Sequence, residues 1–332
     1  NDTFIFLADA DATDNIIEAA SGGTDTISSA GAGGNIDITA LDFNGTNGAS
    51  LSQIEQIVID TGRAFEVDAA QVTGLTLNIN ELAAGTATLD IDIAGSGAAL
   101  DISNFTFTAA GGNAFDTGAD VIDIDGEAGN NAITGSTLSD TINGAGGADT
   151  IITSGGGDSV TGGAGADAIT LGAGTDTLVR DGDGSTDGYD TVTSFTVGAS
   201  NDLIDFTSNG SLVNGIAVTA FASGTVGNIG ATVGFQVFSN NITVANNAVG
   251  PTEAEMETFL GGADVFSNGA TNDSVYIAAD NGTDTFIFKV AEGAGGTDKE
   301  FDANDDVGVA VMRLVGVDDA TDLLAANLSD FT

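Results

Sequence analysis

Six acidic or amide side chains recur at an unbroken spacing of nine residues: Asn131, Asp140, Asp149, Asp158, Asp167 and Asp176. Two residues after each stands an aliphatic side chain, in turn Ile133, Ile142, Ile151, Val160, Ile169 and Leu178. Two residues before stands glycine in five of the six repeats, at Gly129, Gly147, Gly156, Gly165 and Gly174, with Leu138 as the exception. Carboxylates and glycine-rich backbone carbonyls are hard oxygen donors, the surroundings that suit Ca2+. Histidine and cysteine are absent from the whole chain. That removes the usual general base, the Ser-His-Asp triad, the zinc-protease helix, the disulfide framework and most transition-metal sites.

The spacing dictates what must hold these groups. Glycine takes positive φ and turns tightly. The aliphatic residue lies at strand spacing from the Asp, so it points inward while the Asp stays at the turn. One nonad is then a turn and a very short strand. Two nonads make one coil of a flattened roll with parallel strands on two faces, so turns on one edge recur every 18 residues. Asn131, Asp149 and Asp167 fall on one edge, and Asp140, Asp158 and Asp176 on the other. Stacked carboxylates on an edge lie about 4.8 Å apart, and they repel unless cations sit between successive turns. The expected Ca2+ ligands are therefore the six column residues together with the backbone of Gly147, Gly156, Gly165 and Gly174. Sites between Asp149 and Asp167 and between Asp158 and Asp176 should be strongest. A site using Asn131 should be weaker, because a neutral amide replaces a charge.

The six nonads of Gly126–Val179 are GEAGNNAIT, GSTLSDTIN, GAGGADTII, TSGGGDSVT, GGAGADAIT and LGAGTDTLV. They resemble the RTX (repeats-in-toxin) calcium-binding repeat, G-G-x-G-x-D-x-U-x. Residues 180–332 are similar to the C-terminal regions that follow such repeats in exported bacterial proteins, through DTFIF and the tail LVGVDDATDLLAANLSDF. The resemblance implies type I export read from an uncleaved C-terminal signal. It also implies a chain unfolded at low calcium in the cytosol and folded outside.

The flanks read as further β structure. Residues 1–125 hold alternating segments such as IEQIVID, LTLNIN and ATLDIDIAG, expected to form a β-solenoid or sandwich region with Ile57, Ile59, Leu75, Leu77, Ile79, Leu89, Ile91, Ile93, Leu100 and Ile102 inward. The Asp residues of LDIDI read as the outward face of a strand. DADATD (Asp9–Asp14) looks like half an EF-hand loop but has Ala20 where the twelfth-position Glu belongs, so it reads as a solvated acidic turn, with an irregular calcium site as the alternative. Residues 180–332 are expected to be a β-rich capping and secretion-signal region, with Tyr189, Phe195, Ile204 and Phe206 in its core. Asp181, Asp183 and Asp187 are either one more cation site or a solvated turn. Strands are expected near 216–220, 235–238 and 242–244. One short helix is expected near 252–260, opened by Pro251 and early glutamates, with Met256, Phe259 and Leu260 as its buried stripe. The fold class is thus all-β: a parallel β-roll over 126–179 flanked by strand-rich regions.

With 332 residues and a net charge of −44, from 49 acids against 5 bases, the chain is expected to be expanded without cations and compact with them. Nucleic acid is excluded as a partner by the lack of basic residues, and no apolar run is long enough for direct membrane insertion. No signal peptide is visible, and a start at Asn1 reads as a mature, processed or partial chain. No catalytic constellation is recognisable, so the chain is not expected to be an enzyme. Three readings stay open. The first is a secreted, calcium-dependent structural protein that self-assembles into a lattice or fibre at the cell surface, with a cell-surface polysaccharide as a second partner. The others are an adhesin or biofilm-matrix module, and the calcium-folding and secretion part of a larger exported enzyme. The acidic, Cys-free composition is similar to that of surface-layer proteins and favours the first.

Overall fold

The computed structural model describes residues 3–6, 24–31, 34–39, 54–108, 113–116, 120–180, 188–198, 201–206, 235–237, 241–260, 274–291, 307–323 and 327–329. The chain divides into two compact units, Asn1–Val160 with Gly172–Gly174, and Thr161–Leu171 with Thr175–Thr332.

In the first unit the strands are β1 (Thr3–Ile5), β2 (Thr26–Ser28), β3 (Ile36–Asp37), β4 (Gln56–Ile59) and β5 (Ala64–Asp68), followed by a single helical turn, α1 (Ala69–Val72). Then come β6 (Asn78–Glu81), β7 (Thr88–Asp92), β8 (Ala99–Asp101), β9 (Asn113–Ala114), β10 (Val121–Asp125), β11 (Ala132–Thr134), β12 (Asp140–Asn143), β13 (Thr150–Ile152) and β14 (Ser159–Thr161). Three parallel stacks result: β1-β2-β4-β6, β3-β5-β7-β10-β12 and β8-β11-β13. β9 joins the first of them antiparallel to β6.

Period-two alternation decides which side chains meet. Phe65 pairs with Leu89, Leu89 with Ile122 and Ile124 with Ile142. All are buried, so like residues stack in an apolar ladder that contributes roughly 1.5–3 kcal/mol for each large side chain withdrawn from water. The other face carries acids in the same register: Asp37, Glu66, Asp90 and Asp123 in one row, and Asp68, Asp92 and Asp125 in the next. The Asp residues of LDIDI therefore face outward, as expected. Partial burial, with neighbouring carboxylates adding to it, pushes Glu66 up to about 7 and Asp90 up to about 6.

The second unit contains β15 (Ala168–Thr170), β16 (Thr177–Val179), β17 (Asp190–Thr193), β18 (Leu203–Asp205), β19 (Phe235–Val237), helix α2 (Glu253–Leu260), β20 (Ser274–Asp280), β21 (Asp284–Ala291), β22 (Val307–Val315) and β23 (Leu328–Ser329). β16-β18-β23 is parallel, as is β15-β17-β22. The latter continues into an antiparallel β22-β21-β20 meander with β19 parallel at its edge. The β20–β21 turn is held by Asn281, whose Oδ1 accepts from the Thr283 and Asp284 N–H groups. Helix α2 starts with a reciprocal cap: Thr252 Oγ1 accepts from Glu255 N–H, and Glu255 Oε2 accepts from Thr252 N–H. Met256 and Leu260 are buried against Ile277, Phe286 and Phe288, with Phe259 partly buried beside them. The strand expected at 242–244 does not form. Ile242 is buried and donates one hydrogen bond to Asp280 O, but its neighbours make no ladder. Among the described residues no helix is long and apolar enough to cross a membrane. The expectations at 9–14, at 216–220 and for Asp181, Asp183 and Asp187 lie outside the described residues.

Candidate metal centre

The nonads fold as turn and strand. β11 and β13 pair Ile133 with Ile151, and β10 and β12 pair Ile124 with Ile142. The eighth-column residues Ile133, Ile142, Ile151, Val160, Ile169 and Leu178 are all at most 1% exposed, which makes them the floor on which the turns rest. Each fourth-column glycine has a backbone conformation that side chains resist: φ is 130° at Gly129, 126° at Gly147, 129° at Gly156, 135° at Gly165 and 140° at Gly174. Space forbids a side chain as well. A Cβ on Gly147 would lie 2.7 Å from the Gly129 carbonyl oxygen of the preceding coil. Gly147→Ala should therefore destabilise the calcium-loaded protein by about 1–3 kcal/mol or more, read as a lower urea midpoint. Gly62→Ala, at φ 75° with open space around it, should cost less.

Every column residue is buried, from 3% exposure at Asn131 to 0% at Asp176. Each expected pair, Asp149 with Asp167 and Asp158 with Asp176, draws one member from each compact unit. In the first unit Asp149 Oδ1 accepts from Asn131 N–H at 2.7 Å, and Asp158 Oδ1 from Asp140 N–H at 2.9 Å, each across 18 residues. In the second, Asp167 N–H donates to Asp190 Oδ1 at 3.0 Å and Asp176 N–H to Asp202 Oδ1 at 2.9 Å. Each carboxylate thus docks on the backbone of the preceding coil.

The ends of the column differ from its middle. At Asp140, where Leu138 replaces glycine, Ser136 N–H donates to Oδ2 and Ser136 Oγ to Oδ1. At Asp202, Oδ2 accepts from Thr196 N–H and Oγ1. At Asp190, Oδ2 is paired with the guanidinium of Arg180, which is itself buried. In the middle, Oδ2 of Asp149, Asp158, Asp167 and Asp176 is buried and accepts no hydrogen bond, although Oδ1 of Asp149 and Asp158 does. Glycine backs these groups: a Cβ on Gly162 would strike Asp167 Oδ2. Burial pushes Asp140 up to about 7 against the pull of the Ser136 hydrogen bonds, and pushes Asp149 up against that of Asn131 N–H.

Asp190, Asp202, Arg180 and Ser136 were not anticipated from the nonads. Asp190 and Asp202 carry the same signal as the repeats, an aliphatic residue two positions on (Val192 and Ile204), but they follow 23 and 26 residues after their partners instead of 18. Asp120 does the same upstream: it precedes Ile122, and its Oδ1 accepts from Ala87 N–H 33 residues earlier.

Buried carboxylate oxygens beside glycine backbone, in a chain without histidine or cysteine, fit a hard divalent cation. Within the first unit Asp149 and Asp158, and within the second Asp167 and Asp176, with glycine carbonyls of the same unit, are the residues that could hold it. Its charge would offset the cost of burying these carboxylates away from water. The fold and the column together define a calcium-binding parallel β-roll. The family model for the RTX calcium-binding nonapeptide repeat, in four copies, matches residues 125–160 and 143–178, and this stretch is accordingly of the RTX family. No curated protein and no solved structure gives a significant match.

Proposed function

We propose that the chain is a secreted, calcium-dependent structural protein that assembles with copies of itself at the bacterial cell surface. The calcium-binding repeats support calcium-dependent folding outside the cell, since a chain of net charge −44 with a buried carboxylate column is strongly opposed to compaction without cations. The observation that carries assembly is the open edge of the first stack. Among the described residues β1 has a strand neighbour on one side only, β2, and its Ile5 is 57% exposed. A parallel edge with an exposed apolar residue is a template for a strand of another copy. On this reading the chain has a structural and not a catalytic role, and a cell-surface polysaccharide is its second partner.

Calcium titration of the full chain from chelator to about 10 mM, the range of extracellular modules, tests the proposal. Circular dichroism should show strand formation, light scattering should show growth, and electron microscopy should show an ordered lattice or fibre. Folding to a stable monomer at high concentration would instead favour an adhesin module or the tail of an exported enzyme.

A further inference from the structure

Strand β23 brings a distant stretch of the chain onto the column of the second unit. Asn327, which precedes it, is fully buried. Its Nδ2 donates to Asp202 O at 2.7 Å and to Gly198 O at 3.3 Å, with Thr196 O at 3.5 Å, and its Oδ1 accepts from Gly198 N–H at 3.0 Å. One amide side chain thus bonds the backbone on both sides of the last column residue. Asp202 is held from the other direction by the nonads. Its Oδ1 accepts from Asp176 N–H at 2.9 Å, and Leu203 N–H returns a bond to Asp176 O at 2.7 Å. Its Oδ2 accepts from Thr196 N–H and Oγ1. The strands repeat the connection: Leu178 of β16 pairs with Ile204 of β18, and Ile204 with Leu328 of β23.

The two attachments differ in kind. Asp176 lies in the buried column and is ordered by the cation that its carboxylate helps to hold. Residues 327–329 are anchored chiefly by the polar groups that meet Asn327, with Leu328 as a buried apolar residue. A buried amide is stable only while its partners stay in place. We propose that residues 327–329 form a latch closed by calcium, with Asn327 as the positioning residue that fastens this segment to the backbone around Asp202. Calcium fixes Asp176, Asp176 fixes Asp202 and Leu203, and these present Asn327 with its acceptors in register. When calcium leaves, Asp202 loses its bond from Asp176, the acceptors scatter and the segment undocks. Linkage makes the effect reciprocal: whatever undocks the segment weakens calcium binding by the same factor. The segment is therefore buried with calcium and accessible without it, and the column is read out more than a hundred residues downstream of its last nonad.

Hydrogen exchange of the full chain, read by mass spectrometry, tests the latch. In saturating calcium the peptide that carries Leu328 and Ser329 should be protected. Asp176→Asn should expose that peptide while β20, β21 and β22 stay protected. Asn327→Ala should raise the calcium midpoint of the strand signal by about fivefold or more, the low end of coupling between linked sites. A segment that stays protected in D176N would overturn the proposal, since an Asn327 with a merely structural role has no dependence on a calcium ligand. An unchanged calcium midpoint in N327A, with β20–β22 protected, would overturn it as well. The D176N arm decides the matter even if N327A fails to fold.

Discussion

Stripping calcium from the folded chain at pH 7.5 should abolish most of its strand signal, and the same treatment at pH 5 should abolish much less. The sign follows from the raised carboxyls. Asp140 and Glu66 are pushed up to about 7 and Asp90 to about 6, against about 4 in an unfolded chain. Between about pH 4 and 7 the calcium-free folded state therefore holds more protons than the unfolded one. Its stability is greatest at the acid end of that window and is lost as pH rises through the folded values. Protons substitute for calcium in part, because either one removes the charge that burial penalises. In calcium the dependence should flatten or reverse, since the ligands must be deprotonated and binding releases protons. Circular dichroism of resin-stripped protein across pH 4–8, with and without calcium, measures both. A calcium-free fold that strengthens toward pH 8 would show that the column and the outer acid rows do not control stability.

Replacing Arg180 with Met should be the most damaging single change outside the nonads. Its guanidinium and the Asp190 carboxylate are each 3% exposed, and Asp190 also receives Asp167 N–H. Removing one member of such a pair leaves a buried charge uncompensated, at a cost of about 3–5 kcal/mol. The double variant Arg180→Met with Asp190→Asn should recover much of the loss, because the amide oxygen can still accept from Asp167 N–H. Urea unfolding in saturating calcium reads the difference. If the double variant is as unstable as the single one, the damage comes from lost packing of the arginine stem instead of the stranded charge. Arg180 is a cation supplied by the chain itself. It closes one edge of the column with a fixed charge where the nonads rely on a bound one.

The parts of this architecture that could be read from the residues are those in which one short stretch carries all its causes. A nonad holds its own turn glycine, its acid and its inward aliphatic, so Asp149 and Ile151 could be placed without knowing what lies beside them. Helix α2 was equally legible, because Thr252 and Glu255 cap it locally and Met256 and Leu260 fall on one stripe. Asp190 and Asp202 were illegible for the opposite reason. Each sits in the same structural column, but insertions lengthen the coil before it, so a fixed period skips over it. The Arg180–Asp190 pair depends on strands β16 and β17 being brought together, and no local pattern announces it. A β-rich region over 180–332 was expected, but the antiparallel order of its strands at 274–291 and 307–315 was not, since alternation shows which face is buried and not which neighbour covers it. Ile242 illustrates the limit: an apolar residue in a strand-like run is buried, yet its backbone makes no ladder.

The outer rows Asp37–Glu66–Asp90–Asp123 and Asp68–Asp92–Asp125 run across parallel strands in register. With a carboxyl about every 4.8 Å, a fully ionised row exceeds the linear charge density at which neighbouring unit charges in water interact by thermal energy, which corresponds to a spacing of about 7 Å. Such a row behaves as a short polyelectrolyte. It regulates its own charge by taking up protons, and it gathers a diffuse sheath of counterions before any specific ligand is engaged. Sodium or potassium in that sheath competes with divalent ions, so the face is in effect an ion exchanger fused to a folding module. The medium in which the protein folds is therefore set by total salinity as well as by calcium.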